Sequence, residues 1–345
     1  MFISKRKLIV LMLVAGMLLV SSIAVLAQDK IVWKSSGHGP ATDPSQVYHD
    51  KLCEAITLAS GGRLEVKAFV GGSVAPATQE LNAVSEGVLD MCYTCPMYNL
   101  DKWPAAGLIS ARPGGLPGEA LRTWFNYGGG AELMNKMMEG FNTITFPGAL
   151  SPLPEEVFLH SKKEIKTVED IKGLKIRAAG DGGEVLNMMG AAVVFLPGGE
   201  LYEAMQRGTI DAFEYSTMAS NWDMHFNEIA KYVILSPTRS PSDPQCFFVN
   251  EDSWNKLPDD LKRLVQDLID KWTQAQHEYL VYESILALDK FVEYGCNVYK
   301  LPQEVEEALT NTAKKYYTEK AAKEDQIYRD TLESMDAYWE AYSSK

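Results

Sequence analysis

The chain has 345 residues, with 33 Lys and Arg against 46 Asp and Glu, a formal net charge of -13, and 46% hydrophobic residues. An acidic balance of that size argues against nucleic acid or anionic lipid as partners, and makes any basic residue in a cleft a local exception.

Lys5, Arg6 and Lys7 precede an apolar run from Leu8 to about Val20, followed by Val25-Leu26-Ala27-Gln28. A basic start, a short hydrophobic stretch and small residues before a polar one predict a secretory signal, residues 1–27, cleaved near Ala27. The run is shorter than the roughly 18–20 residues of a membrane span. Cleavage removes three positive charges and no negative ones, moving the net charge from -13 to -16 and leaving about 318 residues, enough for two domains. All five cysteines (53, 92, 95, 246, 296) survive it, and an odd number cannot pair only within the chain. Cys92 and Cys95 have redox-motif spacing, but they leave a predicted strand instead of opening a helix, so buried or locally paired thiols are the better reading.

A weak repeat organises the mature chain. Gly62-Arg63-Leu64-Glu65-Val66-Lys67 is matched to Gly173-Leu174-Lys175-Ile176-Arg177, each alternating like a short strand. Downstream, Ala83 to Asp90 is matched to Ala204 to Asp211. In both, a helical pattern stops at a Gly suited to a left-handed cap, and a short apolar strand ending near an Asp follows. Each half therefore predicts a βα unit of a parallel sheet, and the pair predicts two α/β lobes. Pro-rich stretches at Phe146 to Pro154 and Ser236 to Pro244 read as two crossings between the lobes, which create a hinged cleft. After Leu257-Pro258-Asp259-Asp260, apolar residues from Leu261 to Trp272 mark one helix face. No Gly or Pro follows before Gly295, giving a helix of about 50 Å, long enough to span both lobes. The region from Gln303 to Tyr342 is also helical in pattern. It packs on its own lobe or on a second subunit as a homodimer, and spacing does not choose between these.

The catalytic inventory is thin. The five histidines (38, 49, 160, 225, 277) form no His-Glu-x-x-His, and neither a Gly-x-Ser-x-Gly elbow nor a Walker loop is present. Gly180-Asp181-Gly182-Gly183 sits between a strand and a helix but lacks the third glycine of a dinucleotide loop. The same geometry presents helix N–H groups to an anion. Arg177 falls at the C-terminal end of its strand, where open α/β sheets bind ligands, and a guanidinium grips a carboxylate through paired hydrogen bonds. Spacing alone equally allows a surface arginine. Glu155, Glu156 and Glu214 are candidates to ligate a hard cation, or are solvated.

The strings Asp170 to Arg177, Gly190-Ala191, Leu196-Pro197 and Glu200 to Asp211, with Gly61 to Val66 and Glu80 to Asp90, resemble the solute receptors of TRAP transporters, the DctP-type family. The resemblance covers nearly the whole mature chain. It implies a periplasmic, two-lobed α/β binding-protein fold with a long helix spanning both lobes and a helical C-terminus. Residues 28–150 with about 241–275 then form lobe I, and 151–240 with about 276–345 form lobe II. It further implies capture of a small organic acid without turnover, delivery to TRAP permease membrane subunits, and Arg177 as the carboxylate anchor. Tyr127 to Leu133 and the Thr94-x-Pro96-x-Tyr98 run resemble the branch that binds 2-oxo or 2-hydroxy monocarboxylates with a metal ion. By that likeness Glu156, Glu214, Tyr215 and Gln245 surround a Ca²⁺ or Na⁺ that bridges the ligand carboxylate, with Thr94 and Tyr98 contributing from the first lobe and no organic cofactor. Two positions depart from the branch: Tyr215 stands where Trp is usual, and Glu156 (or, one register away, Glu155) where Gln is usual. The rival readings are a receptor of another importer class for an amino acid, and a secreted α/β enzyme using Glu156 and Glu214 as an acid/base pair. On the receptor reading, replacing Arg177 is expected to abolish binding and leave the unliganded protein's stability nearly unchanged.

Overall fold

The computed structural model describes residues 30–344, so the signal assigned to residues 1–27 lies outside the described residues. Twelve strands run in chain order: β1 (Ile31–Gly37), β2 (Leu64–Phe69), β3 (Met91–Thr94), β4 (Thr143–Ile144), β5 (Leu150–Ser151), β6 (Val157–Ser161), β7 (Lys175–Arg177), β8 (Ala192–Val194), β9 (Ala212–Phe213), β10 (Tyr232–Leu235), β11 (Gln245–Asn250) and β12 (Asn297–Lys300). They form two six-stranded sheets, the first in the order β2-β1-β3-β11-β4 with β5 also on β11, the second in the order β12-β10-β6-β9-β7-β8. These are the two lobes. The chain leaves the first sheet after β5 and returns at β11, so 152–156 and 236–244 are the two crossings. β3, β6 and β11 are buried along their whole length, which is why they read as continuous apolar runs without alternation.

The helices are α1 (Pro44–Ala59), α2 (Glu80–Ser85), α3 (Ala106–Ile109), α4 (Gly118–Tyr127), α5 (Gly130–Met137), α6 (Gly180–Met188), α7 (Leu201–Arg207), α8 (Met218–Asp223), α9 (Glu251–Asn255), α10 (Asp259–Tyr294), α11 (Gln303–Ala321) and α12 (Gln326–Ser343). Among the described residues no helix is long and apolar enough to cross a membrane. The long α10 has 36 residues and does span both lobes. Leu261, Val265, Ile269 and Thr273, four residues apart, bury its first half against lobe I. Gln276 then donates to Ser45 Oγ at the start of α1 (3.1 Å), and Leu280, Ala287 and Phe291 bury the second half on the other side.

The repeat is real, but its first match is displaced. In lobe I the order β2-β1-β3 is all parallel; in lobe II β8-β7-β9 repeats it. The counterpart of β7 is therefore β1, and the Gly62–Lys67 segment matched to it belongs to β2, the counterpart of β8. Short alternating strands after a glycine turn share a pattern whichever strand of the unit they are, so likeness of that length does not set register. The second match holds. Gly87 and Gly208 both take φ of 73° after their helices. Asp90 and Asp211 each precede a strand instead of ending it. Asp90 Oδ2 accepts from Lys34 N of β1 (2.8 Å) and Asp211 Oδ2 from Lys175 N of β7 (3.3 Å), clasping equivalent strands.

The C-terminal tail, assigned to lobe II from the sequence, touches both lobes. α11 lies on α6, whereas α12 packs on α4 and α5 of lobe I. There Trp124 Nε1 donates to Ser334 Oγ (3.0 Å) and Arg112 pairs with Asp336 (2.9 Å). The pattern Tyr328, Thr331, Met335 supplies the buried face that carries it across. All five cysteines are buried and free.

A Cβ at Gly208 would meet nothing within 4 Å, so its backbone conformation is the only constraint on this position. Gly208→Ala is expected to lower stability by about 1 kcal/mol through the left-handed φ alone, measured by urea unfolding.

Candidate functional site: a buried charge cluster at the lobe junction

Arg177 ends β7 and is 4% exposed. Its Nε donates to Leu196 O (2.8 Å), and its Nη1 donates to Glu214 O (2.7 Å) and Glu214 Oε1 (3.2 Å). Phe195 lies over the guanidinium at 5.3 Å. Glu214 is the residue after β9, the parallel neighbour of β7, so the sheet itself brings the two together. Its Oε1 also accepts from Ala179 N–H (2.6 Å), the N-cap of α6. The glycine-rich loop therefore does present a helix start to an anion, and the anion is the protein's own carboxylate.

Glu214 Oε2 is 2.6 Å from Nη2 of Arg239, a residue on the return crossing that sequence reasoning did not single out. Arg239 Nη1 is 3.8 Å from Glu156 Oε2 on the outgoing crossing. Glu156 is buried and Glu155 exposed, so Glu156 is the one that turns inward. Asp243, also missed, lies nearby and accepts from Ser110 Oγ (2.5 Å). Two arginines and three acids, each at most 4% exposed, thus meet where both crossings pass. Burial alone would lower the Arg239 pKa; Glu214, Glu156 and Asp243 reverse that and raise it. Burial first, then the charge of Asp243, push Glu156 well above the carboxylate range, with Arg239 opposing them. Asp243 is raised to about 6, by burial first and also by Glu214, against the Ser110 hydrogen bond and the charges of Arg239 and Arg177.

Tyr98 and Tyr215 face this cluster from opposite lobes. Burial raises both phenols, and each feels the charge of Arg177. Tyr215 lies edge-on to Phe226 (5.4 Å) and flat against Gly198, where a Cβ would be 2.3 Å from the ring. Tyr98 lines a cleft of about 360 Å³ with Met97 and Thr78 on one side and Ala178, Gly183 and Phe195 on the other. Thr94 is buried in β3 opposite Cys246. Gln245 is committed elsewhere: its Oε1 accepts from Gln276 of α10 (3.1 Å) and its Nε2 donates to His38 Nε2 (3.4 Å). With Tyr93 OH donating to Gln276 Oε1 (2.6 Å), this is a polar chain internal to lobe I.

A two-lobed α/β protein whose crossings enclose a buried arginine beside a small cleft belongs to the class of hinged receptors for small carboxylates. The comparisons narrow the class. Residues 36–324 match the model of the bacterial extracellular solute-binding proteins, family 7 (DctP), and the chain belongs to that family. The monocarboxylate 2-oxoacid-binding periplasmic protein of Nostoc sp. strain PCC 7120 is 28% identical over 309 residues, 89% of this chain and 83% of that protein. Two solved TRAP periplasmic solute-binding proteins share the fold. The one from Colwellia psychrerythraea, with bound calcium and pyruvate, has a TM-score of 0.86 and 28% identity over 92% of this chain and 96% of its own. The one from Pseudoalteromonas atlantica, with bound sodium and pyruvate, has a TM-score of 0.85 and 27% identity over the same shares.

Glu214 has both oxygens engaged by Ala179 N–H and two guanidiniums, Gln245 has its carbonyl engaged by Gln276, and Tyr215 packs on Phe226 and Gly198. Among the described residues no group of three or more His, Cys, Asp or Glu side chains is arranged to hold a metal. Glu156 and Glu214 are brought together around Arg239, whereas the Gln245 carbonyl is held by Gln276. The same contacts leave Glu214 no free oxygen with which to act in an acid/base pair.

Arg177 is also more than a surface anchor, because three protein oxygens hold it, and the expectation of unchanged stability on its removal is corrected accordingly. Arg177→Ala should destabilise the unliganded protein by about 2 kcal/mol, since hydrogen bonds to charged groups are lost from a buried site; thermal unfolding reads it. A second outcome follows from Asp243. An acid whose folded pKa lies above its unfolded value binds extra protons in the folded state, so stability falls as pH rises between the two values. Unliganded protein should therefore lose stability from about pH 4 to about pH 6, and Asp243→Asn should flatten that slope in urea titrations at fixed pH.

Proposed function

We propose that this chain is the periplasmic receptor of a TRAP-type secondary transporter, closing on a small 2-oxo or 2-hydroxy carboxylate and passing it unchanged to the membrane permease. One observation carries the reading. Arg177 sits at the C-terminal end of a sheet strand beside the cleft, with its Nε and Nη1 already fixed by protein oxygens. A guanidinium held in that way is preorganised, so it loses little entropy on meeting a carboxylate. Lobe closure removes water from the pair and strengthens it. Tyr98 lines the cleft from lobe I and Tyr215 lies near Arg177 in lobe II, suiting a ligand of a few heavy atoms with an oxo or hydroxyl group beside the carboxylate. The sequence-level assignment of Thr94 and Gln245 to the ligand has weaker support: Gln245 serves the ligand indirectly, by fixing His38 next to Tyr98 (ring centroids 5.8 Å apart).

The family relationship supports export, permease delivery and the absence of turnover, since its members are solute receptors. Two solved relatives hold pyruvate, which makes pyruvate the first probe. Calorimetry with pyruvate, lactate and alanine should give binding to one or both organic acids, with the bound acid recovered intact after denaturation. Arg177→Ala should weaken that binding about a hundredfold or more, as expected when one partner of a buried charge pair is removed. Undiminished affinity in the variant, or tighter binding of alanine than of either acid, would reject the assignment.

A further inference from the structure

Arg239 is the least expected member of the junction. It is 1% exposed, and its guanidinium lies between two carboxylates from separate stretches of chain, 2.6 Å from Glu214 and 3.8 Å from Glu156. Those are the two acids that the family resemblance assigns to a metal ion. Space for the group is built into the fold. A Cβ on Gly182, in the first turn of α6, would fall 3.1 Å from Arg239 Cζ and 3.3 Å from Nη1, so the flat guanidinium rests directly on helix backbone. Neither oxygen of Glu156 and none of the guanidinium nitrogens of Arg239 completes a hydrogen bond, so Arg239 acts on both carboxylates through charge.

Charge explains the arrangement. Glu156 stands where the resemblance expects Gln, adding a second carboxyl group to a site that must also admit an anionic ligand. Buried charges persist only when paired. Arg239 places one positive charge 2.6 Å from Glu214 and 3.8 Å from Glu156, where it opposes the burial that drives Glu156 towards its neutral form. A calcium or sodium ion bridging Glu156 and Glu214 would have to occupy the space of the guanidinium and would be repelled by it.

We infer that Arg239 is a built-in cation that replaces the metal ion accompanying the acid in the two solved relatives, so that carboxylate capture by this receptor does not depend on a metal. The inference rests on the organic-acid reading above. Arg239 acts through Glu214, which in turn orients Arg177, and is a positioning residue for the ligand.

The test compares pyruvate binding by the mature protein, dialysed against EDTA into sodium-free choline buffer, with binding after calcium or sodium is restored. The dissociation constant is expected to be the same in all three buffers; affinity that appears only with an added ion overturns the inference. Calcium is also titrated alone into ligand-free protein. No binding is expected for the unmodified chain, while Arg239→Ala, which leaves Glu156 without its cation and Glu214 Oε2 without its own, should take up calcium and become calcium-dependent for pyruvate. Without the ion it should bind pyruvate about a hundredfold more weakly. Calcium uptake by the unmodified chain, or an alanine variant that binds pyruvate normally in EDTA, overturns the inference. Arg239→Lys covers the case in which the alanine variant does not fold: it should remain calcium-free, and calcium uptake by it overturns the proposal. If none of the organic acids binds in any buffer, the functional reading fails, and the calcium titrations still decide the role of Arg239.

Discussion

The Glu214 carboxylate is the interaction on which the junction depends. Four groups from different parts of the chain converge on this residue: Arg177 from β7, Ala179 N–H from the start of α6, Arg239 from the return crossing and, through Arg239, Glu156 from the outgoing crossing. A carboxylate this deeply buried is tolerated only because its partners are donors and cations. Its effect is to lock Arg177, the start of α6 and both crossings into one electrostatic unit. The site is thus an extension of the packing of lobe II, with the ligand added last.

The two lobes are built alike but contribute differently. Each has the same β-α-β-α-β unit with an Asp clasping the first strand, Asp90 on β1 and Asp211 on β7. In lobe II the first strand ends in Arg177; in lobe I the equivalent strand ends in small residues, and the polar work falls to the chain His38, Gln245, Gln276 and Tyr93. Gln276 belongs to α10, so the helix that spans both lobes also braces the first-lobe wall of the cleft. α12 returns to lobe I after α11 has packed on lobe II, which adds a second length of chain joining the lobes.

Much of this was legible in the residues. The crossings were visible because proline cannot continue a sheet or helix, the long helix because nothing interrupts its apolar face, and the helix stops because Gly87 and Gly208 supply a conformation other residues resist. The family strings led to Arg177, and the crossing position led to Glu156. Repeat register was misread, because five or six alternating residues do not say which strand of a βαβαβ unit they are.

What the sequence determined by itself was where the long helix runs, where helices stop and where the crossings fall: local backbone preference and side-chain periodicity act over a few residues and need no partners. What only the tertiary structure decided was which charges meet. Arg239 and Asp243 lie in a loop of nine residues between β10 and β11, with no periodicity and no motif, and as a lone base and a lone acid they read as solvated. Their importance comes from burial beside Glu214 and Glu156, which are distant in sequence and adjacent only because two crossings pass side by side. The same physics separates Gln245 from a metal set and gives it to Gln276. Electrostatics in a buried site depend on distance and desolvation, and neither is a property of the chain until it has folded.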